Sequence, residues 1–373
     1  MGLAHIVGLL SADYRSRDPL TLDFVLREPL DVQGGNCTLF SCNCSGRSRE
    51  PLEKQNLTKA PPYRPNPEQT ALWPSVSGNT INGLGEANFR RPEYIYWRSP
   101  DEISFGPLQR WFYKQNTAPE LTAGRAERME EERVPLVTIS DETEVKSPEE
   151  WARSIKETAQ GLGVEAVGIT AVNPDWFYEG ASLPYKTIIV LGLAMDYDQM
   201  TAAPDISAGA HVVGEYTRGM KASKRLADWI RSQGHDAYPE HGPFAGELPL
   251  IPAALAAGLG ELGKHGSVIN AELGSCFRLA SVLTNLEIKH DVPIDFGADS
   301  FCLNCKICSN HCPPDAIRPQ KDWVRGTQKW YVDFDKCLPF FNETAGCGIC
   351  VTVCPFSRPG VGENLVAKLA RRL

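Results

Sequence analysis

The chain has 373 residues, 42% hydrophobic and 23% charged, globular proportions that can supply a sizeable core and, at this length, two or three domains. Its formal net charge of −8, with no basic stripe, argues against nucleic acid as the main partner. No apolar run reaches 18 residues, so no membrane-spanning helix is predicted.

Residues 1–145 read as a loop-rich first segment. Met1 to Leu10 is apolar but has neither a cationic leader nor a small-residue cleavage site, and the twin arginine Arg90-Arg91 lies too deep to be an export signal. The expected location is cytoplasmic. Pro61, Pro62, Pro65, Pro67 and Pro74 suggest an extended path. Trp73, Tyr94, Tyr96 and Trp97 are apolar anchors with which this segment could drape over another domain and help wall a site. Cys37, Cys42 and Cys44 match no metal spacing and read as buried or free thiols.

An α+β segment follows over residues 146–294. Ser147-Pro148-Glu149-Glu150 is a capping box with proline at the first helical position. Trp151, Ile155, Ala159 and Leu162 then repeat at helical spacing up to Gly163. Val164 to Ile169 predicts a strand, and the apolar run Thr187 to Leu191 predicts one buried on both faces. A second helix is expected from about Tyr216 to Gln233, with Met220, Leu226, Trp229 and Ile230 as its apolar stripe. Four glycines within Gly258 to Gly266 imply close backbone approach or positive φ. With neither a GK[ST] nor a dinucleotide fingerprint present, a large flat cofactor is the ligand expected there.

Residues 295–373 contain eight of the 12 cysteines, in two runs. One is Cys302, Cys305, Cys308 and Cys312, ending at Pro313. The other is Cys337, Cys347, Cys350 and Cys354, ending at Pro355. Two cubane [4Fe–4S] clusters need this thiolate supply. In two-cluster ferredoxins the cysteine before proline serves the other cluster, so Cys302, Cys305, Cys308 and Cys354 should hold one and Cys312, Cys337, Cys347 and Cys350 the other. The nine residues between Cys337 and Cys347 depart from the usual spacing. Zinc would favour paired CxxC motifs, and disulfides would suit a small secreted scaffold.

Four stretches together resemble the reductive dehalogenases, corrinoid iron–sulfur enzymes that remove halide from organic halides. They are Ile188–Asp198 (IIVLGLAMDYD), Glu215–Ala237 (EYTRGMKASKRLADWIRSQGHDA), Ala257–Thr284 (AGLGELGKHGSVINAELGSCFRLASVLT) and the cysteine region Cys302–Pro355. The resemblance implies a nitroreductase-like core holding base-off cobalamin, and a C-terminal ferredoxin-like domain with two [4Fe–4S] clusters. The chain is also similar to the epoxyqueuosine reductases. They carry an aspartate where Lys221 stands here and usually continue into a helical-repeat domain, and both departures favour the dehalogenase branch.

The same resemblance implies Tyr216 as proton donor and Lys264 as its charge partner, with His265, Ser267 and Asn270 contacting the corrin side chains. His211 and His241 are further pocket candidates, and no Asp-x-His-x-x-Gly motif offers cobalt a lower histidine. An organohalide substrate is implied. With no flavin or nicotinamide domain recognisable, so is an external donor such as a ferredoxin or flavodoxin. Two other functions stay open: a corrinoid reductase of a non-halogenated substrate such as a tRNA base, and an electron-transfer ferredoxin module fused to an unrelated domain.

Overall fold

Proline opens most of the early helices, because a first-turn residue needs no free N–H and proline presets the helical φ. The computed structural model describes residues 62–241 and 246–371; Cys37, Cys42, Cys44 and the first ten residues lie outside them. Among the described residues before 145 there are four helices: α1 (Pro67–Ala71), α2 (Gly78–Ile81), α3 (Gly106–Gln115) and α4 (Pro119–Arg133). A proline stands in the first turn of α1, α3 and α4. Within the described residues, Pro67 marks a helix start rather than an extended path, capped by the Asn66 side chain.

The core elements follow as α5 (Pro148–Gly161), β1 (Ala166–Ala171), β2 (Thr187–Ala194), α6 (Tyr197–Met200), α7 (Ile206–Ser232), β3 (Ala237–His241), α8 (Leu250–Ala256), β4 (Glu261–Leu262), β5 (Val268–Ile269) and β6 (Phe277–Thr284). The capping box forms as the sequence predicts, with Ser147 and Glu150 bonding each other's backbone amides. One antiparallel sheet runs β1-β2-β6-β3. Alternation along β2 gives each face its own core. Ile189, Leu191 and Leu193 pack with Trp151, Ile155, Leu226 and Ile230 of α5 and α7, while Ile188 and Val190 pack with Ile251 and Ala254 of α8.

Helix α7 begins ten residues before the expected Tyr216, so Tyr216 lies mid-helix. Gly209 and Gly214 disguise its first turns, since glycine disfavours a helix interior. Gly209 has a packing reason: a Cβ there would come within 2.9 Å of the Ala345 carbonyl oxygen. Lys224 of α7 donates to the carbonyls of Glu131 and Val134, placing a cation at the C-terminal end of α4.

The C-terminal part contains α9 (Ala298–Asn304), α10 (Ile307–Asn310), β7 (Asp322–Val324), β8 (Thr327–Lys329), α11 (Phe334–Glu343), α12 (Ile349–Thr352) and α13 (Gly362–Leu369). The early helices cover this part: Tyr96, Trp97, Phe105, Leu108 and Phe112 share a core with Ile317, Val332, Phe334, Leu338 and Phe341. The anchors Tyr96 and Trp97 thus serve the cysteine-bearing part. Trp73 packs edge-on against Phe105, and Tyr94 stacks on Tyr178.

Candidate functional site

The chain folds its eight C-terminal cysteines around two adjacent cavities. Cys302, Cys305, Cys308 and Cys354 line one, with Lys264, His265 and Phe356. Cys312, Cys337, Cys347 and Cys350 line the other, with Phe341 and Val351. Each run thus lends its proline-preceding cysteine to the other's cage. The nine-residue gap has a local cause: Cys337 rides on α11, and the rest of that helix plus the turn at Thr344 fills the interval before Cys347. There the backbone turns sharply, with Cys347 at φ 56 between Gly346 and Gly348, both of positive φ.

Burial pushes the Cys302, Cys308 and Cys354 thiols up to about 12 and Cys347 to about 11. Backbone N–H groups oppose this by favouring the anionic sulfur. Lys264 donates to Cys302, Phe356 to Cys354, Gly348 and Ile349 to Cys347, and Ala316 to Cys312 at 3.3 Å. Among the described residues no three His, Cys, Asp or Glu side chains converge closely enough to hold a single metal ion. Eight thiols in two groups of four, supplied with N–H donors, therefore fit iron–sulfur cages rather than tetrahedral zinc, whose ligands must meet at one atom.

Tyr216 sits 8% exposed in a pocket of Met195, Met200, Val212 and Cys276. Burial raises its hydroxyl pKa, while the Arg278 guanidinium pulls the other way. Arg278 is the cation at this ring, with Cζ 5.5 Å from the ring centroid. It is 5% exposed, and its Nε and Nη2 have no hydrogen-bond partner among the described residues. On β6 it pairs with Leu193, which faces α7, so strand register aims it at Tyr216. Lys264, the partner the resemblance implies, makes a different contact. Lys264 follows β4 and turns to the first cage, its Nζ donating to the Cys305 carbonyl at 2.8 Å. Arg278 could have been found as the one charge inside the apolar run Cys276–Leu283.

Of the three residues expected to contact a corrin, His265 and Asn270 bond groups of their own chain. His265 is 1% exposed; its Nδ1 accepts from the Ser267 amide at 3.2 Å and its Nε2 faces the Ser275 hydroxyl at 3.0 Å. Asn270 engages the Leu259 carbonyl and the Glu272 and Leu273 amides. The glycine loop likewise approaches its own chain. A Cβ at Gly258 would lie 2.3 Å from the Val292 oxygen, and one at Gly260 2.1 Å from that of Ile269. His211 accepts from the Asp196 amide at 2.9 Å, and His241 ends β3.

A 4Fe-4S dicluster domain model matches residues 301–357, spanning all eight cysteines. The molecule is thus an α+β core carrying an iron–sulfur dicluster domain. The tetrachloroethene reductive dehalogenase of Sulfurospirillum multivorans is 30% identical, over 57% of this chain and 52% of that one. The epoxyqueuosine reductase of Shewanella oneidensis is 27% identical, over 52% of this chain and 53% of its own. A solved structure described as a reductive dehalogenase that suggests a mechanism for B12-dependent dehalogenation superposes with TM-score 0.57 and 25% identity, over 72% of this chain and 40% of that one. The chain is similar in sequence to reductive dehalogenases and, less closely, to epoxyqueuosine reductases. It spans about half the length of the curated relatives it matches. No helix among the described residues is long and apolar enough to cross a membrane.

Proposed function

We propose that the protein is a reductive dehalogenase, replacing the halogen of a small organohalide by hydrogen. The balance is R–X + 2e⁻ + H⁺ → R–H + X⁻. The interleaved cysteine sets would hold two [4Fe–4S] clusters, which would supply electrons one at a time from an external donor such as a ferredoxin or flavodoxin. Tyr216 gives the proton through its hydroxyl oxygen, and Arg278 stabilises the phenolate left behind. The base-off corrinoid and the nitroreductase-like description of the core belong to this reading through the dehalogenase relatives, one of them described in terms of B12-dependent dehalogenation.

The observation that carries the proposal is the buried Tyr216–Arg278 pair. A tyrosine with a raised pKa stays protonated at neutral pH, so it can donate. A buried cation without an acceptor of its own is placed to meet the negative charge that donation creates. Lys221 forms an ion pair with Glu127 at 2.7 Å, so it supplies no acid in place of the aspartate of the epoxyqueuosine reductases. The test is anaerobic reconstitution with iron, sulfide and cobalamin, then a halide-release screen of aryl, alkenyl and alkyl halides with reduced viologen. Halide release with the hydrogenated product is the expected result. Turnover of an epoxyqueuosine-bearing tRNA without halide release would overturn the reading.

A further inference from the structure

We propose that Lys264 tunes the first cage: its buried ammonium raises the reduction potential of the cluster held by Cys302, Cys305, Cys308 and Cys354. The inference rests on reading that cage as a cluster site.

Lys264 is 2% exposed, yet no carboxylate among the described residues lies within 4.0 Å of its Nζ. The acidic groups nearby are committed elsewhere. Glu261 receives the amides of Phe296, Ala298 and Asp299, holding the start of α9 and hence Cys302 in place. Asp299 bonds Lys321 and the Trp330 indole, each at 2.6 Å. Lys264 itself has the Cys305 carbonyl oxygen at 2.8 Å and the Trp330 ring at 5.0 Å, while its backbone N–H donates to the Cys302 sulfur. A buried ammonium without a countercharge is costly.

The missing countercharge is the cluster. A cubane on four thiolates is anionic in both redox states and gains one more negative charge on reduction. A fixed cation beside it therefore favours the reduced state, as do hydrogen bonds to its sulfurs. Ser275 is placed to supply one, since its side chain favours the anionic Cys354 sulfur. Because Nδ1 of His265 accepts from Ser267, its proton is on Nε2, which donates to the Ser275 oxygen and frees the hydroxyl hydrogen for sulfur. At the second cage the bordering cation is Arg278, which lies against Tyr216.

The test is an EPR-monitored redox titration of the whole chain, reconstituted with iron and sulfide, as wild type, K264Q, K264R and S275A. K264Q should move one of two reduction waves to lower potential and leave the other in place. K264R should stay near wild type, because charge rather than shape is at work. S275A should move the same wave, by less. Waves that coincide with wild type in K264Q, waves that both move equally, or loss of half the iron from K264Q would each overturn the proposal, the last by making Lys264 a structural prop. A wild-type chain with only one cluster by iron analysis overturns the two-cage reading, and the proposal with it.

Discussion

Arg278 lies against the ring of Tyr216, its guanidinium carbon 5.5 Å from the ring centroid, with both residues buried. If this pair delivers the proton, Tyr216→Phe removes the donor and little else. A fall in halide release of roughly 10²–10⁴-fold is expected, as for loss of a general acid. Iron content and melting temperature should match wild type. Activity within a few-fold of wild type would remove Tyr216 from the role.

Arg278→Met should also slow turnover while leaving the clusters intact. Burial raises the Tyr216 pKa and Arg278 opposes that rise, so losing the guanidinium drives it higher still. Tyrosinate absorbance in an alkaline titration should then appear at higher pH in the variant than in wild type. Appearance at lower pH would contradict the assignment.

The interleaved cages predict which cysteine variants behave alike. Cys354→Ser should perturb the same EPR signal as Cys305→Ser, although 49 positions separate them in the chain. Cys312→Ser should instead share the signal altered by Cys337→Ser. Each variant should lose about half of the roughly eight irons that two four-iron clusters require. Matching of Cys312 with Cys305 would mean that the runs do not exchange ligands.

Glu240 gives a pH dependence outside the cages. It is 6% exposed, and burial pushes its carboxyl up to about 7 from 4.5. Between those two values the folded chain holds a proton that the unfolded chain has released, so stability falls as pH rises through this window. Glu240→Gln should remove that slope, with a gain above pH 7 on the order of 3 kcal/mol. Urea unfolding at pH 5 and pH 8 measures it, and an unchanged slope would contradict the buried carboxyl.

Local signals were legible in the sequence where one physical requirement fixes the residue. The Ser147 capping box and the doubly buried Thr187–Ala194 strand are such cases, and the exchange of Cys312 and Cys354 between cages follows the ferredoxin pattern. Prolines misled because the same residue serves an extended path and a helix start, as at Pro67. The glycines of Gly258–Gly266 are ambiguous in sequence because close approach to the chain's own backbone, seen at Gly258 and Gly260, looks the same there as close approach to a cofactor. The Tyr216–Arg278 contact was not legible because side-chain partnership depends on strand register, which aligns Arg278 with Leu193 on the α7 face.

The most direct test of the central claim is turnover in deuterated water, with reduced viologen and a halide taken up in the screen. Wild type should release halide and incorporate one solvent deuterium at the vacated carbon, and Tyr216→Phe should do neither at a comparable rate. Halide release without deuterium in the product, or equal incorporation by the variant, would contradict proton delivery from Tyr216.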